Sequence, residues 1–228
     1  MRDPRLVRST TPLPLPFDPH AVLFDLDGVL VDSAATVEEA WRRFATRHGL
    51  DPEHVIANCH GRRTVDLIRR VAPHLDAESE AVLIEQEEVG SAGPIRALPG
   101  ACELLQIVPA ERFAIVTSGS RPLAVARLRA AGLPVPAVLV TAEDVENGKP
   151  DPAGYLSAAA QLGVKPARSL VVEDSPAGVN AALSAGMNVI AVLTTNDESA
   201  LSAAHRRVPN LSALLPATRA AHSSSRRR

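Results

Sequence analysis

An alternation constrains the fold most. Short apolar runs of strand length, 21–26 (AVLFDL), 113–117 (FAIVT), 137–140 (AVLV), 169–173 (SLVVE) and 188–193 (NVIAVL), are separated by segments with helical punctuation. Strands that alternate with helices build βαβ units and a mostly parallel sheet. The punctuation is well formed. Ser120 can cap a helix over 121–131 that Gly132 ends, Asp151-Pro152 opens a segment closed by Gly163, and Ser175-Pro176 opens one closed by Gly186. At 228 residues the chain is one large domain, or one domain with an inserted unit.

Residues 33–93 interrupt the alternation, because they contain no convincing strand. In their first helical pattern Ala34, Val37, Trp41, Phe44 and His48 recur at the spacing of one helix face. The expected organisation is therefore a core of residues 20–32 and 94–216 with an all-helical cap of residues 33–93. The cap would sit over the end of the sheet as a lid, joined at Asp32-Ser33 and across 91–98, where Gly93, Pro94, Pro99 and Gly100 mark the return hinge. The acid-rich stretch Asp76, Glu78, Glu80, Glu85, Glu87 and Glu88 reads as a solvated helix face. Residues 1–19, with five prolines, read as a flexible tail, and residues 217–228 as a disordered basic tail.

Composition removes several classes. Net charge is −2 and aromatic residues are 3%, so base-stacking recognition of nucleic acid lacks its material. No apolar stretch approaches the 18 residues of a membrane span, and the N-terminus lacks the apolar run of a signal peptide. Two cysteines, Cys59 and Cys102, make neither a disulfide framework nor a CxxC metal site, which fits a reducing cytoplasm. P-loop, HExxH and Gly-x-Ser-x-Gly signatures are all missing.

Polar chemistry collects at the ends of the strands. Ligands of open parallel sheets bind at the strands' carboxyl ends, and residues i and i+2 of a strand share a side. Asp25 and Asp27, ending the first strand, would converge there, and two like charges favour a hard cation such as Mg²⁺. Thr117-Ser118-Gly119-Ser120 follows the second strand and can cradle a phosphate at a helix start. Gly148-Lys149-Pro150 after the third offers a point charge, and Glu173-Asp174-Ser175-Pro176 after the fourth adds two carboxylates. Taken singly these also read as a turn, an N-cap, a surface lysine and a capping segment. Their coincidence at one sheet edge is the signal.

These residues resemble the haloacid dehalogenase (HAD) superfamily, in its helical-cap branch of sugar and polyol phosphatases. FDLDGVLVDS, VTSGS, GKPDP and VVEDSPAGVNAALSAGM match its motifs in order and spacing. HGRRTVDLIRRVAP is similar to the cap of glycerol-phosphate and 2-deoxyglucose-6-phosphate phosphatases, and AIVTSGSRPLAVARLRAAGLP to hexitol phosphatases. The resemblance implies a Rossmann-like core with helices on both faces of the sheet and a Mg²⁺-dependent phosphatase acting on a small sugar or polyol phosphate. Asp25 would be the nucleophile that forms an aspartyl-phosphate, and Asp27 the general acid and then base. Mg²⁺ would be held by Asp25, the carbonyl of Asp27 and Asp174, with Glu173 as an indirect ligand. Thr117, Ser118, Gly119 and Lys149 would clamp the phosphate.

In the cap, Arg62 or Arg63 would reach the phosphate or sugar hydroxyls, with His60 orienting the loop. Two solvated arginines and a structural histidine are the plain alternatives. Asp27 disfavours a dehalogenase, and the lysines, Lys149 and Lys165, both outside the cap, disfavour a Schiff-base phosphonatase. A β-phosphoglucomutase-like mutase shares the core chemistry and is the alternative activity. No membrane or nucleic-acid partner is expected, and the default assembly is a monomer.

Overall fold

The computed structural model describes residues 19–59, 61–91 and 95–216. Apart from Pro19, both expected tails lie outside these residues, as do His60 and the Gly93-Pro94 part of the hinge. Pro19 and His20 offer their carbonyls to Arg112.

In chain order the elements are β1 (Ala21–Phe24), β2 (Val31–Asp32), α1 (Ala34–His48), α2 (Pro52–Ile56), α3 (Thr64–Val71), α4 (Ala77–Gly90), β3 (Arg96–Ala97), α5 (Ala101–Ile107), β4 (Phe113–Val116), α6 (Arg121–Ala130), β5 (Leu139–Val140), α7 (Ala153–Gln161), β6 (Ser169–Glu173), α8 (Pro176–Ser184), β7 (Asn188–Val192) and β8 (Arg206–Val208). The main sheet is six-stranded, in the order β5-β4-β1-β6-β7-β8, and every pairing in it is parallel. Phe24 of β1 stands opposite Ile115 on one side and Val172 on the other. The chain steps outward from β1 to β5 and then returns to β6, so the strand order reverses at β1. A crevice opens at such a point beyond the carboxyl ends of the strands.

The two faces of the sheet read off β1 by strand alternation. Val22 and Phe24 join a core with α5 and α6, through Leu104, Ala124 and Leu128. Ala21 and Leu23 join a core with α7 and α8, through Tyr155, Ala158, Val179 and Ala182. Burial on both faces explains why these strands are continuous apolar runs.

Helices α1–α4 enclose a separate apolar cluster that includes Trp41, Phe44, Leu67, Ile68 and Ile84. Burying each large member contributes about 1.5–3 kcal/mol to the packing of this layer. The chain enters and leaves it through an antiparallel pair, Val31 opposite Ala97 and Asp32 opposite Arg96. The layer rests on the sheet half where α4 packs against α6. Among the described residues no helix is long and apolar enough to cross a membrane.

One strand expectation needs correction, and one strand of the main sheet went unread. The first strand stops at Phe24, and Asp25 and Asp27 lie beyond it in a turn where the N–H groups of Leu30 and Val31 both donate to the carbonyl of Leu26. Gly28 turns the chain there at φ +77°, and a Cβ on it would lie 2.0 Å from Asp174 Oδ2. The edge strand β8 went unread, because a short strand with two arginines has no apolar run.

Candidate active site

Three buried carboxylates, Asp25, Glu173 and Asp174, bring ligand-capable atoms within 4.8 Å of one another at the carboxyl ends of β1 and β6. One buried ammonium answers them. Lys149 Nζ donates to Asp25 Oδ1, to Glu173 Oε1 at 2.7 Å and to the carbonyl of Val116 at 3.2 Å. Burial works against the Lys149 charge, but Asp25 and Glu173 outweigh it and hold its pKa well above the ordinary lysine value.

Glu173 is the anchor of this group. Its Oε1 also accepts from Tyr155 Oη at 2.8 Å, and its Oε2 accepts from the backbone N–H groups of Asp174 and Ser175 and from Ser175 Oγ. Burial opposes its charge, yet the Lys149 ammonium and these donors keep its carboxyl below the usual range. Both oxygens are thus engaged by protein donors, so Glu173 aims Lys149.

Asp25 and Asp174 behave differently. Burial first, then the neighbouring carboxylates, push Asp25 up to about 8 despite Lys149. Burial and the charges of Glu173 and Asp25 raise Asp174 well above the ordinary value. Thr195 Oγ1 donates to Asp174 Oδ2, and Asn196 Nδ2 donates to its carbonyl at 3.0 Å. An oxygen-rich pair with too little compensating charge fits a hard divalent cation.

Asp27 lines the same cavity as Asp25 and its charge adds to the rise of the Asp25 pKa, while the carboxylate that joins Asp25 in the buried cluster is that of Asp174. Ser33 Oγ donates to Asp27 Oδ1 at 2.6 Å, and Arg127 Nη1 donates to Asp27 Oδ2 at 2.7 Å. Ser33 opens α1 but gives that helix no side-chain cap, because its hydroxyl serves Asp27.

The remaining expected residues are placed as follows. Thr117 is buried and accepts from the N–H of Gly119 at 3.1 Å, while Ser118 Oγ donates to the carbonyl of Gly61 at 3.0 Å. Asp25, Asp27, Thr117, Ser118, Gly119 and Asp174 line one cavity of about 70 Å³, whose far wall includes Val37, Trp41, Arg62 and Glu88 from the helical layer. Arg62 faces this cavity. Arg63 does not: its guanidinium pairs with Asp66 at 2.7 Å and donates to the carbonyls of Val145 and Glu146, tying α3 to the loop after β5. Cys59 also lines the cavity, but burial pushes its thiol up to about 12, so it is not a nucleophile near neutral pH.

Sequence reasoning missed two charged residues here. Arg127 and Glu88 are only 3% and 4% exposed, and Arg127 Nη2 lies 3.3 Å from Glu88 Oε2. The reading of Glu88 as part of a solvated face is therefore wrong for that residue. It falls in phase with the buried Ala77, Ala81 and Ile84 of α4, as Arg127 does with Leu123, Ala124 and Leu128 of α6. A charge in phase with an apolar stripe was the available signal. Thr195 and Asn196, just past β7, follow the same strand-end logic as the residues that were found.

A parallel sheet with its acids gathered beside the switch point, a lysine held among them and a hydroxyl-bearing loop at a helix start defines a hydrolase that handles phosphoryl or similar anions. Residues 19–186 match the model of the haloacid dehalogenase-like hydrolase family, and the chain belongs to that family. It is 47% identical over 185 residues to hexitol phosphatase A of Escherichia coli, covering 79% of this chain and 86% of that protein. It is 37% identical over 199 residues to glycerol-1-phosphate phosphohydrolase 2 of Saccharomyces cerevisiae, covering 82% and 80%. A solved hydrolase from Pseudomonas syringae superposes with a TM-score of 0.77 at 28% identity, over 84% of this chain and 94% of that one.

Proposed function

We propose that the protein is a Mg²⁺-dependent phosphatase that hydrolyses a small polyol or sugar phosphate through an aspartyl-phosphate on Asp25. The observation that carries this reading is the placement of Asp25 between a buried lysine and a second buried carboxylate, Asp174, on the wall of a cavity small enough for a short carbon chain. The names of its phosphatase relatives supply the substrate class.

Asp25 and Asp174, with the main-chain carbonyl of Asp27, would hold the ion. Mg²⁺ would neutralise the charge of the incoming phosphate and of the transition state. An Asp25 carboxylate oxygen attacks phosphorus as the ester P–O bond breaks, and the leaving alkoxide takes its proton from Asp27. Asp27 then takes a proton from water as that water attacks the aspartyl-phosphate, releasing inorganic phosphate. Ser33 and Arg127 hold the Asp27 carboxyl in one orientation through both steps. Lys149 and Thr117 receive the phosphoryl oxygens as preorganised donors, and Arg62 reaches the substrate from the helical layer. The α1–α4 layer covers the site, which excludes water from the first step.

The test is phosphate release from a panel of polyol and sugar phosphates, with Mg²⁺ and with EDTA, and Asp25→Asn as blank. Release that needs the ion and vanishes in the variant is expected. No release, with isomerisation of a sugar phosphate once a bisphosphate is added, would overturn the reading in favour of a mutase.

A further inference from the structure

Arg127 is an unusual residue for the inner face of a helix. It is 3% exposed, and among the described residues only its Nη1 makes a hydrogen bond, to Asp27. Among the described residues its Nε and Nη2 have no hydrogen-bond partner, although Nη2 lies within ion-pair distance of Glu88. Buried donors without partners are costly and rare, and their persistence asks for an explanation. Both Arg127 and Glu88 line the cavity that holds Asp25.

We propose that Arg127 and Glu88 form a subsite for a hydroxyl group of the alcohol half of the substrate, on the carbon next to the phosphate ester. The proposal rests on the phosphatase reading and names the feature of the substrate that the site selects.

Position comes first. Asp27 is the group that touches the ester oxygen, and Arg127 is bonded to Asp27 at 2.7 Å. Arg127 lines the cavity beside Asp27, with its remaining guanidinium donors closed off against Glu88, so the next substituent of the carbon chain falls against this pair. Chemistry comes second. A hydroxyl both donates and accepts; Arg127 supplies only donors, and Glu88, reaching in from α4, supplies the acceptor. Charge comes third. The one guanidinium is already paired with the Asp27 carboxylate and also faces the Glu88 carboxyl, so the subsite is not electropositive. It suits a neutral hydroxyl and disfavours a carboxylate or a second phosphate. The adjoining wall of Val37, Trp41 and Leu123 is apolar and suits the C–H face of a polyol chain.

The pair also spans two bodies, since Arg127 belongs to the sheet half and Glu88 to the helical layer. A substrate hydroxyl bound by both would be held only with the layer in place over the site.

The experiment compares kcat/KM for glycerol 1-phosphate and propane-1,3-diol monophosphate, which differ only in the hydroxyl beside the ester carbon, with phosphoglycolate as the carboxylate arm and phenyl phosphate as a substrate without either group. The wild-type enzyme is expected to prefer glycerol 1-phosphate over the deoxy analogue on the order of 10²-fold or more, because a site built to bond a hydroxyl rejects the analogue that lacks it. Phosphoglycolate should fall with the deoxy analogue. In Arg127→Met and in Glu88→Leu the ratio should collapse toward unity whatever the absolute rate. Glu88→Gln, which keeps an acceptor oxygen and is the mildest change for folding, should retain part of it. A merely structural role would lower both substrates together and leave the ratio unchanged. A wild-type ratio within about threefold, or a ratio preserved in the variants that fold, overturns the subsite. Release from phenyl phosphate that disappears in Asp25→Asn, without discrimination between glycerol 1-phosphate and its deoxy analogue, would sink the subsite and leave the phosphatase standing. Release from none of the esters would sink the phosphatase reading and the subsite with it.

Discussion

Glu88 carries a stability cost that can be measured apart from catalysis. Burial, more than anything else, pushes its carboxyl from 4.5 up to about 7; Arg127 pulls the other way, and Asp27, Glu85 and Glu87 add to the rise. In the unfolded chain the same group titrates near its ordinary value, so between the two values the folded state holds a proton that the unfolded state has lost. The stabilisation is fully present below about pH 4.5 and disappears as pH rises through about 7. At ~1.4 kcal/mol per pH unit, a displacement from 4.5 to about 7 corresponds to about 3 kcal/mol. Glu88→Gln mimics the protonated acid at every pH. Urea unfolding of both proteins from pH 5 to pH 9 should therefore show the variant gaining on the wild type by roughly 2–3 kcal/mol, a midpoint gap of about 1 M for a slope near 2 kcal/mol/M. Asp25 and Asp174 also weaken the fold as pH rises, but they are common to both proteins and cancel in the difference. Parallel curves, or a variant that loses ground at pH 9, would refute the argument, because either would mean that Arg127 holds Glu88 ionised at no net cost.

Three further outcomes are expected. Gly178→Ala would place a Cβ 1.6 Å from Glu173 Oε1; displacing Glu173 should misaim Lys149, lowering both the thermal midpoint and phosphatase activity, by circular dichroism and phosphate release. Lys149→Met leaves Asp25 and Glu173 buried without their shared cation, and removing one partner of a buried pair costs about 3–5 kcal/mol; denaturant unfolding should show a loss of that size. Arg63→Ala cuts the tie to the carbonyls of Val145 and Glu146, so hydrogen exchange across α3 should quicken while the unfolding midpoint of the sheet half changes little, and unchanged exchange would mean that the tie does not restrain the helical layer.

What the sequence disclosed follows from how each element is buried. β1, β4, β6 and β7 are covered on both faces and so stand out as apolar runs, and the helices between them are punctuated by residues with a mechanical reason to be there, such as Ser175, whose hydroxyl accepts from the N–H of Gly178 at 3.1 Å. The strand-end motifs were legible for the same reason: a buried parallel sheet leaves its polar residues at its ends. β2, β3 and β8 were not legible, since two- and three-residue strands leave no periodicity to read. Arg127 and Glu88 escaped for a different reason. An acid among acids looks solvated when the run is read by composition, and only its phase relative to Ala81 and Ile84 shows that it turns inward.

The two halves of the site are built with different tolerances. Asp25, Thr117, Lys149 and Asp174 sit on loops whose positions are set by strand register in a sheet buried on both faces, and Glu173, the last residue of β6, is fixed further by donors on each oxygen. A residue in that half cannot move without disturbing the pairing that holds the others, so the phosphoryl chemistry is rigid. Arg127 and Glu88 stand on two helices, α6 and α4, that meet only where the helical layer rests on the sheet half, and their separation of 3.3 Å depends on how that layer sits. Substitutions on α4, or on the neighbouring wall at Val37 and Trp41, can therefore change which alcohol is accepted while the aspartate, lysine and ion-binding carboxylates stay in place. Change of substrate without change of reaction is the expected behaviour of a chain built this way, and the deoxy-analogue ratio is where it would first be seen.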